Sequence, residues 1–255
     1  MKMTFRWFGK ENDPIPLQYL RQIPCLDGVV TSLLDMPAGE VWPLEKIKDM
    51  HKTITDAGLE VEVIESVNIH EDIKLGAAGR DEKIEAYIQT MKHLHQIGIK
   101  VICYNFMPVL DWARSHLFYD LPDGSNTMLF SKKFILETTA EKLAARYAEQ
   151  SGGIDLPGWE PERLAYINQT IERYQSVTQE EYWENCKYFI DAIIPWAEKY
   201  DIKMAIHPDD PPWPIFGLPR LINNETNIQR FLDMSSSPYH GLTICTGSLG
   251  ADPNN

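Results

Sequence analysis

The stretch IKMAIHPDDPPWPIFGLPR, residues 202–220, decides the fold class of this chain. It opens with Ile202–His207, in which apolar residues are nearly continuous rather than alternating with polar ones. Strands that are buried on both faces have this pattern, and they belong to parallel sheets that helices cover. A segment rich in proline follows directly, so we expect the strand to end at His207 and a loop to begin there.

Further runs of the same kind are spread along the chain. They are Met3–Phe8, Val29–Leu34, Leu59–Ser66, Lys100–Phe106 and Leu242–Thr246. Amphipathic helical patterns separate most of them, which predicts an α/β protein with a parallel sheet. An open doubly wound sheet and a (β/α)8 barrel both fit this alternation. No GxGxxG or GxxxxGK[ST] motif follows any of the runs, so nucleotide-binding open sheets are disfavoured and the TIM barrel is preferred.

The predicted strands number six, whereas a closed barrel needs eight. At about 30 residues per βα unit, we interpret residues 1–255 as a single TIM-barrel domain that is truncated at its C-terminus. Residues 107–201 lie between the fourth and fifth strands and contain helical patterns at Pro161–Tyr174 and Thr178–Tyr200. They predict a helical insertion within the barrel, after strand 4. Pro195 lies inside the second pattern, where it is expected to kink or end the helix.

Composition excludes several classes of protein. Lys and Arg number 24 against 37 Asp and Glu, for a net charge of −13. Such an acidic chain repels nucleic acid and anionic membrane surfaces, so neither is an expected partner. No apolar run is long enough to span a bilayer, and the N-terminus lacks the apolar segment of a signal peptide. The four cysteines form no CxxC pair, so we expect reduced thiols in a cytoplasmic protein.

The reacting groups of a barrel enzyme lie at the C-terminal ends of its strands. The predicted strand ends are polar in six places: Arg6-Trp7, Ser32, Glu65-Ser66, Asn105, His207 and Cys245. Imidazole and thiolate are common metal ligands, so His207 and Cys245 are candidates for one metal site. Two alternatives remain open for Cys245, a small buried apolar residue and a nucleophile with His207 as its base.

Five residues are candidates for substrate binding. Arg114 presents a planar fork that suits a carboxylate, although it could instead pair with Asp111 on a surface turn. Asp209 precedes Asp210-Pro211, so it could serve turn formation instead. The full set of predicted substrate contacts is Trp7, His70, Asn105, Arg114 and Asp209.

Five segments of the chain resemble the mannonate dehydratase family. They are MTFRWFGKEND (3–13), VIESVNIHEDIKLG (63–76), YNFMPVLDWARSHL (104–117), IHPDDPPWPIFGLPR (206–220) and GLTICTGSLGADPN (241–254). The resemblance implies a xylose-isomerase-like TIM barrel and a hydro-lyase that converts D-mannonate to 2-keto-3-deoxy-D-gluconate in hexuronate catabolism. It also implies a divalent metal, with Mn2+ expected and Fe2+ or Co2+ as alternatives.

The metal of that family is held by two His, one Cys and one Asp. In this resemblance His207 matches the first His and Cys245 the Cys, while the other two ligands and the proton-transfer residues are expected beyond Asn255. The implied partners are a small sugar acid and further copies of the chain in a homo-oligomer. Two other functions stay open, a metal-dependent sugar isomerase or epimerase on the same barrel and an inactive sugar-acid-binding fragment.

Overall fold

The computed structural model describes residues 1–150 and 166–255, which form two compact units. Unit 1 consists of Met1–Asn105, Asn185–His207 and Gln229–Thr243, and unit 2 of Phe106–Glu184, Pro208–Ile228 and Ile244–Asn255. Numbered along the chain, the described strands are β1 (Met3–Arg6), β2 (Leu26–Thr31), β3 (Glu60–Glu65), β4 (Val101–Tyr104), β5 (His116–Asp120), β6 (Asn126–Leu129), β7 (Lys203–Ile206) and β8 (His240–Leu242). The described helices are α1 (Leu17–Leu20), α2 (Leu44–Asp56), α3 (Glu71–Lys74), α4 (Arg80–Gln96), α5 (Lys132–Glu137), α6 (Ala140–Gln150), α7 (Ile167–Tyr174), α8 (Gln179–Tyr200), α9 (Glu225–Leu232) and α10 (Thr246–Leu249).

Unit 1 is built on a parallel sheet of six strands in the order β1-β2-β3-β4-β7-β8. Every neighbouring pair in this sheet is parallel. The order follows the chain without reversal, whereas a doubly wound sheet reverses its order at a switch point. The architecture is therefore that of consecutive βα repeats of a (β/α)8 barrel, as the sequence predicted.

The core of unit 1 explains why these runs form strands. Val29, Ile64, Ile102 and Ile206 are fully buried within their strands, as expected for strands covered on both faces. Helix α4 buries an apolar stripe that includes Ile84, Ile88 and Met91, and it ends at Gln96, just before Gly98, whose φ of 87° is left-handed. Glycine adopts that conformation without the cost that a side chain would add.

Helix α8 begins as the sequence predicted. The Thr178 backbone N–H donates to Glu181 Oε2 at 2.8 Å, and the Glu181 N–H donates to Thr178 Oγ1 at 3.2 Å. These two bonds form a reciprocal capping box. The expectation that Pro195 would kink or end the helix early is not met, since α8 continues through Pro195 to Tyr200. Pro195 lies on the exposed side, and buried Phe189 and Ile193 hold the helix by packing.

The segment after β4 contains a structure that the sequence analysis did not predict. Strands β5 and β6 form an antiparallel hairpin in unit 2. Its turn contains Asp123-Gly124, with Gly124 at a φ of 85°, and Asp-Gly is a recognised hairpin signal. The predicted helix Pro161–Tyr174 is observed as α7 from Ile167 onward, and residues 161–165 lie outside the described residues. In the described ranges no helix is long and apolar enough to cross a membrane.

Candidate active site at the carboxyl edge of the sheet

The C-terminal ends of the six parallel strands lie at one edge of the sheet, here called the carboxyl edge. Its residues in unit 1 are those at or just after each strand end: Arg6, Trp7, Thr31, Ser32, Glu65, Ser66, Asn105, His207 and Thr243. The backbone ladder fixes their positions, because the N–H of His207 donates to Tyr104 O at 2.6 Å and the N–H of Thr243 donates to Ile206 O at 2.8 Å. The polar residues that the sequence predicted at separate strand ends in unit 1 therefore lie together at the carboxyl edge of the sheet.

Side chains at the carboxyl edge meet across intervening strands. Arg6 Nη1 lies 3.6 Å from Glu65 Oε2, although β2 separates their strands. Cys103 Sγ lies 3.2 Å from Thr243 Oγ1, although β7 lies between them. Strands two apart are about 10 Å from each other in a flat sheet. These contacts therefore place the side chains on a concave face, as the interior of a barrel requires.

Two groups of this interior have shifted pKa values. Burial, reinforced by the Glu65 carboxylate, raises the pKa of the Cys103 thiol, so this cysteine stays protonated. Burial lowers the pKa of the Arg6 guanidinium, and the charge of Glu65 opposes that change. Cys103 is buried, so it belongs to the core of unit 1.

Three predicted substrate contacts lie in unit 1. Trp7 is buried, and its indole N–H donates to Ile15 O at 3.3 Å. Asn105 directly follows β4 at the carboxyl edge and is partly exposed. His70 precedes α3 and accepts the Asp72 N–H at its Nδ1, 3.1 Å away. Burial lowers the pKa of His70 despite the opposing charge of Asp72.

Arg114, in unit 2, has a carboxylate partner that the sequence did not indicate. Its two terminal nitrogens donate to the two oxygens of Asp210 at 2.6 and 2.8 Å. Burial lowers the pKa of Arg114, but the hydrogen bond and charge of Asp210 outweigh it and the pKa is raised. The Tyr147 hydroxyl accepts the Arg114 backbone N–H and donates to the Arg114 carbonyl. Tyr147 lies on α6, and no local motif marked it.

Asp209 closes the proline-rich loop of unit 2. Its carboxylate Oδ2 accepts the backbone N–H groups of Leu221 and Ile222, each at 2.7 Å. Its Oδ1 lies 3.8 Å from Nη1 of the buried Arg220. The side chain is 3 % exposed, so Asp209 has a structural role in the loop besides any contact with substrate.

Cys245 lies in unit 2, at the N-cap of the short helix α10. It is partly exposed, and the Ser248 hydroxyl donates to its Sγ at 3.2 Å. Its charge is among the smaller effects that raise the pKa of Arg114, after burial and Asp210. Within residues 1–150 and 166–255, no group of three or more His, Cys, Asp or Glu side chains is arranged to hold a metal ion.

Comparison with known proteins places the whole chain in one family. The D-mannonate dehydratase family matches residues 1–255. The mannonate dehydratase of Thermotoga neapolitana is 53% identical over 255 residues, which are 100% of this chain and 71% of that protein. Mannonate dehydratase 1 of Halalkalibacterium halodurans is 51% identical over the same residues, which are 70% of its length.

A solved structure agrees with the sequence relatives. The crystal structure of mannonate dehydratase from Streptococcus suis serotype 2 matches with a TM-score of 0.88 and 43% identity, over 100% of this chain and 67% of that chain. This match covers the parallel sheet and its carboxyl edge, because it covers every residue of the chain. The chain belongs to the D-mannonate dehydratase family.

Proposed function

We propose that this chain is a hydro-lyase that dehydrates D-mannonate to 2-keto-3-deoxy-D-gluconate in hexuronate catabolism. The observation that carries the proposal is the family match over all 255 residues. The polar carboxyl edge of the sheet supports it, because barrel enzymes place their reacting groups there.

The reaction sets clear demands on the site. A base must remove the proton beside the carboxylate, and an acid must protonate the hydroxyl that leaves from the next carbon. The C–H bond beside a carboxylate is a very weak acid, so the negative charge that develops on the substrate when the proton leaves needs stabilisation. This chain's described residues offer imidazole, thiol and guanidinium groups at or near strand ends, but no base or acid is assigned among them.

The donor types fit a divalent metal in part. Imidazole and thiolate together suit first-row transition metals, and His207 and Cys245 follow the neighbouring strands β7 and β8. We propose these two as ligands of Mn2+, with Fe2+ or Co2+ as alternatives, and leave the remaining ligands unassigned. Such an ion supplies Lewis-acid polarisation of the substrate carboxylate and its neighbouring hydroxyl.

The proposed substrate contacts remain Trp7, His70, Asn105, Arg114 and Asp209. Asn105 has the most direct support, because it is partly exposed at the end of a central strand. Arg114 and Asp209 already have protein partners, so each would share its polar atoms with the substrate. We also propose a cytoplasmic enzyme, a single barrel domain over residues 1–255 with a helical insertion at 107–201, and a homo-oligomer.

The test is the formation of a 2-keto acid from D-mannonate, with Mn2+ and with chelator. We expect His207→Ala to reduce turnover by more than about 10–100-fold, the loss that is typical when a residue hydrogen-bonded to a metal ligand is replaced. His51→Ala, on helix α2, is the matched control and should keep full activity. Full activity of metal-free protein would discard the metal assignment, and turnover of an aldose instead of D-mannonate would favour the isomerase alternative.

A further inference from the structure

The pair formed by Arg6 and Glu65 has no role in the function proposed above. The two residues end β1 and β3, at the carboxyl edge of unit 1. Their closest atoms are 3.6 Å apart, which is too long for a hydrogen bond. Arg6 Nη1 is buried and, among the described residues, has no hydrogen-bond partner.

Both side chains are accessible in part. Arg6 is 26% and Glu65 37% exposed along the side chain. The Phe8 ring lies 5.1 Å from the guanidinium carbon of Arg6, so a cation–π contact helps to hold it. The pair is thus oriented by its neighbours, and a ligand can reach the exposed atoms of the two side chains although Arg6 Nη1 itself is buried.

Nearby polar groups at the carboxyl edge are already used by the protein. The Ser32 hydroxyl donates to Ser66 O at 2.8 Å, and the Ser66 hydroxyl donates to Asn68 Oδ1 at 2.9 Å. Glu65 is itself hydrogen-bonded to the Cys103 side chain, but both Arg6 and Glu65 keep exposed atoms that a ligand can reach.

The charges of the pair select the kind of group that it binds. A ligand carboxylate next to Arg6 would also face the negative Glu65, and a ligand cation next to Glu65 would face the positive Arg6. A hydroxyl group can accept a hydrogen bond from the guanidinium and donate one to the carboxylate. We propose that Arg6 and Glu65 bind hydroxyl groups in the tail of the sugar acid, an assignment that rests on the proposed function.

The strand order gives this site a suitable distance from His207. The ends of β3 and β7 are separated only by β4, so the backbones at Glu65 and His207 are two strand spacings apart, at most about 10 Å along the sheet. An extended six-carbon sugar acid has a comparable length. Its carboxylate can lie at the His207 end while its terminal hydroxyls reach Arg6 and Glu65.

The experiment compares D-mannonate with D-lyxonate, which has the same configuration at carbons 2 to 4 but lacks the terminal hydroxymethyl group. For Glu65→Gln and Arg6→Lys we expect KM for D-mannonate to rise about 10-fold, the loss of a charge-assisted hydrogen bond, with little change in kcat. KM for D-lyxonate should rise less, so the ratio of KM for D-lyxonate to KM for D-mannonate should decrease in both variants. Unchanged KM values, or equal losses on both substrates, would overturn the assignment.

A control variant and a binding measurement separate this proposal from the proposed function. Glu62→Gln removes a carboxylate from the same strand, where it pairs with Lys2 at 2.5 Å, and should leave both KM values unchanged. Calorimetric titration of the chelator-treated protein with D-mannonate gives a readout without turnover. If no 2-keto acid forms but Glu65→Gln still weakens the binding of D-mannonate, only the dehydratase function is refuted. If wild type and Glu65→Gln bind D-mannonate equally well, the hydroxyl site is refuted.

Discussion

Two arginine–carboxylate pairs of this molecule differ in how completely they use their hydrogen-bonding groups. In unit 2, Arg114 donates twice to Asp210, at 2.6 and 2.8 Å. In unit 1, Arg6 and Glu65 approach only to 3.6 Å, and one buried nitrogen of Arg6 has no described hydrogen-bond partner. The first pair has the geometry of a structural clamp, whereas the second is the pair for which we propose a role in binding hydroxyl groups. Satisfied pairs should therefore govern stability, and unsatisfied ones substrate affinity.

The largest expected effect comes from breaking the satisfied pair. Asp210→Asn removes one charge and leaves the largely buried Arg114 without a carboxylate, which should lower the free energy of unfolding by roughly 3 kcal/mol. Urea denaturation measures this change. Asp35→Asn, which breaks the exposed pair with Lys46, is the control and should cost less than about 1 kcal/mol. Equal effects of the two substitutions would remove the distinction between the pairs.

The hydroxyl that holds the Arg114 backbone should have the next largest effect. Tyr147→Phe leaves the N–H and carbonyl of Arg114 without their shared partner, so we expect a loss of about 1–3 kcal/mol. Thermal or urea unfolding tests this against Tyr19→Phe, since Tyr19 is 64% exposed. A loss no greater than that of Tyr19→Phe would show that the clamp around Arg114 contributes little.

A buried histidine of unit 1 forms a described hydrogen bond through only one of its two ring nitrogens. His240 Nε2 donates to Phe231 O at 2.8 Å, while the buried Nδ1 has no described partner. Burial lowers the pKa of His240, and the bond to Phe231 opposes this shift. The unfolded chain then binds the proton more readily, so stability should fall as pH drops through the ordinary pKa of His, about 6.5.

His240→Gln tests that sign, because its amide can keep the bond to Phe231 but does not titrate. The decrease in Tm between pH 7 and pH 5 should be smaller for this variant than for wild type. An identical decrease in both proteins would mean that His240 does not contribute to the pH dependence.

The smallest stability effect belongs to the unsatisfied pair. Glu65→Gln removes no hydrogen bond to Arg6, so the free energy of unfolding should change by less than about 1 kcal/mol. The same variant is expected to weaken D-mannonate binding. A destabilisation as large as that of Asp210→Asn would show that the pair of Arg6 and Glu65 is structural as well.

The sequence predicted the parts of the molecule that local pattern controls. The run Ile202–His207 contains β7, and the helical pattern Thr178–Tyr200 contains α8. The hairpin of β5 and β6 was missed although Asp123-Gly124 signals it. The sequence suggested Asp111 as an alternative partner of Arg114, whereas the structure pairs Arg114 with Asp210, which lies 96 residues away, because such pairing depends on tertiary structure.

The candidate site divides in the same way. The polar strand ends Arg6, Glu65 and Asn105 were visible as a pattern, because parallel strands align their carboxyl ends. Whether their hydrogen bonds are used or free depends on side-chain geometry, which the sequence does not contain. The hydrogen bonds of buried Asp209 to the N–H groups of Leu221 and Ile222 likewise depend on side-chain geometry.

Dehydration of D-mannonate by this chain can be followed by NMR of the product formed from D-mannonate labelled with carbon-13 at carbon 3. We predict that this carbon loses its hydroxyl group and becomes a methylene beside a new ketone at carbon 2. A labelled carbon that keeps its oxygen, as in an epimerised or isomerised product, would show that the chain does not dehydrate D-mannonate.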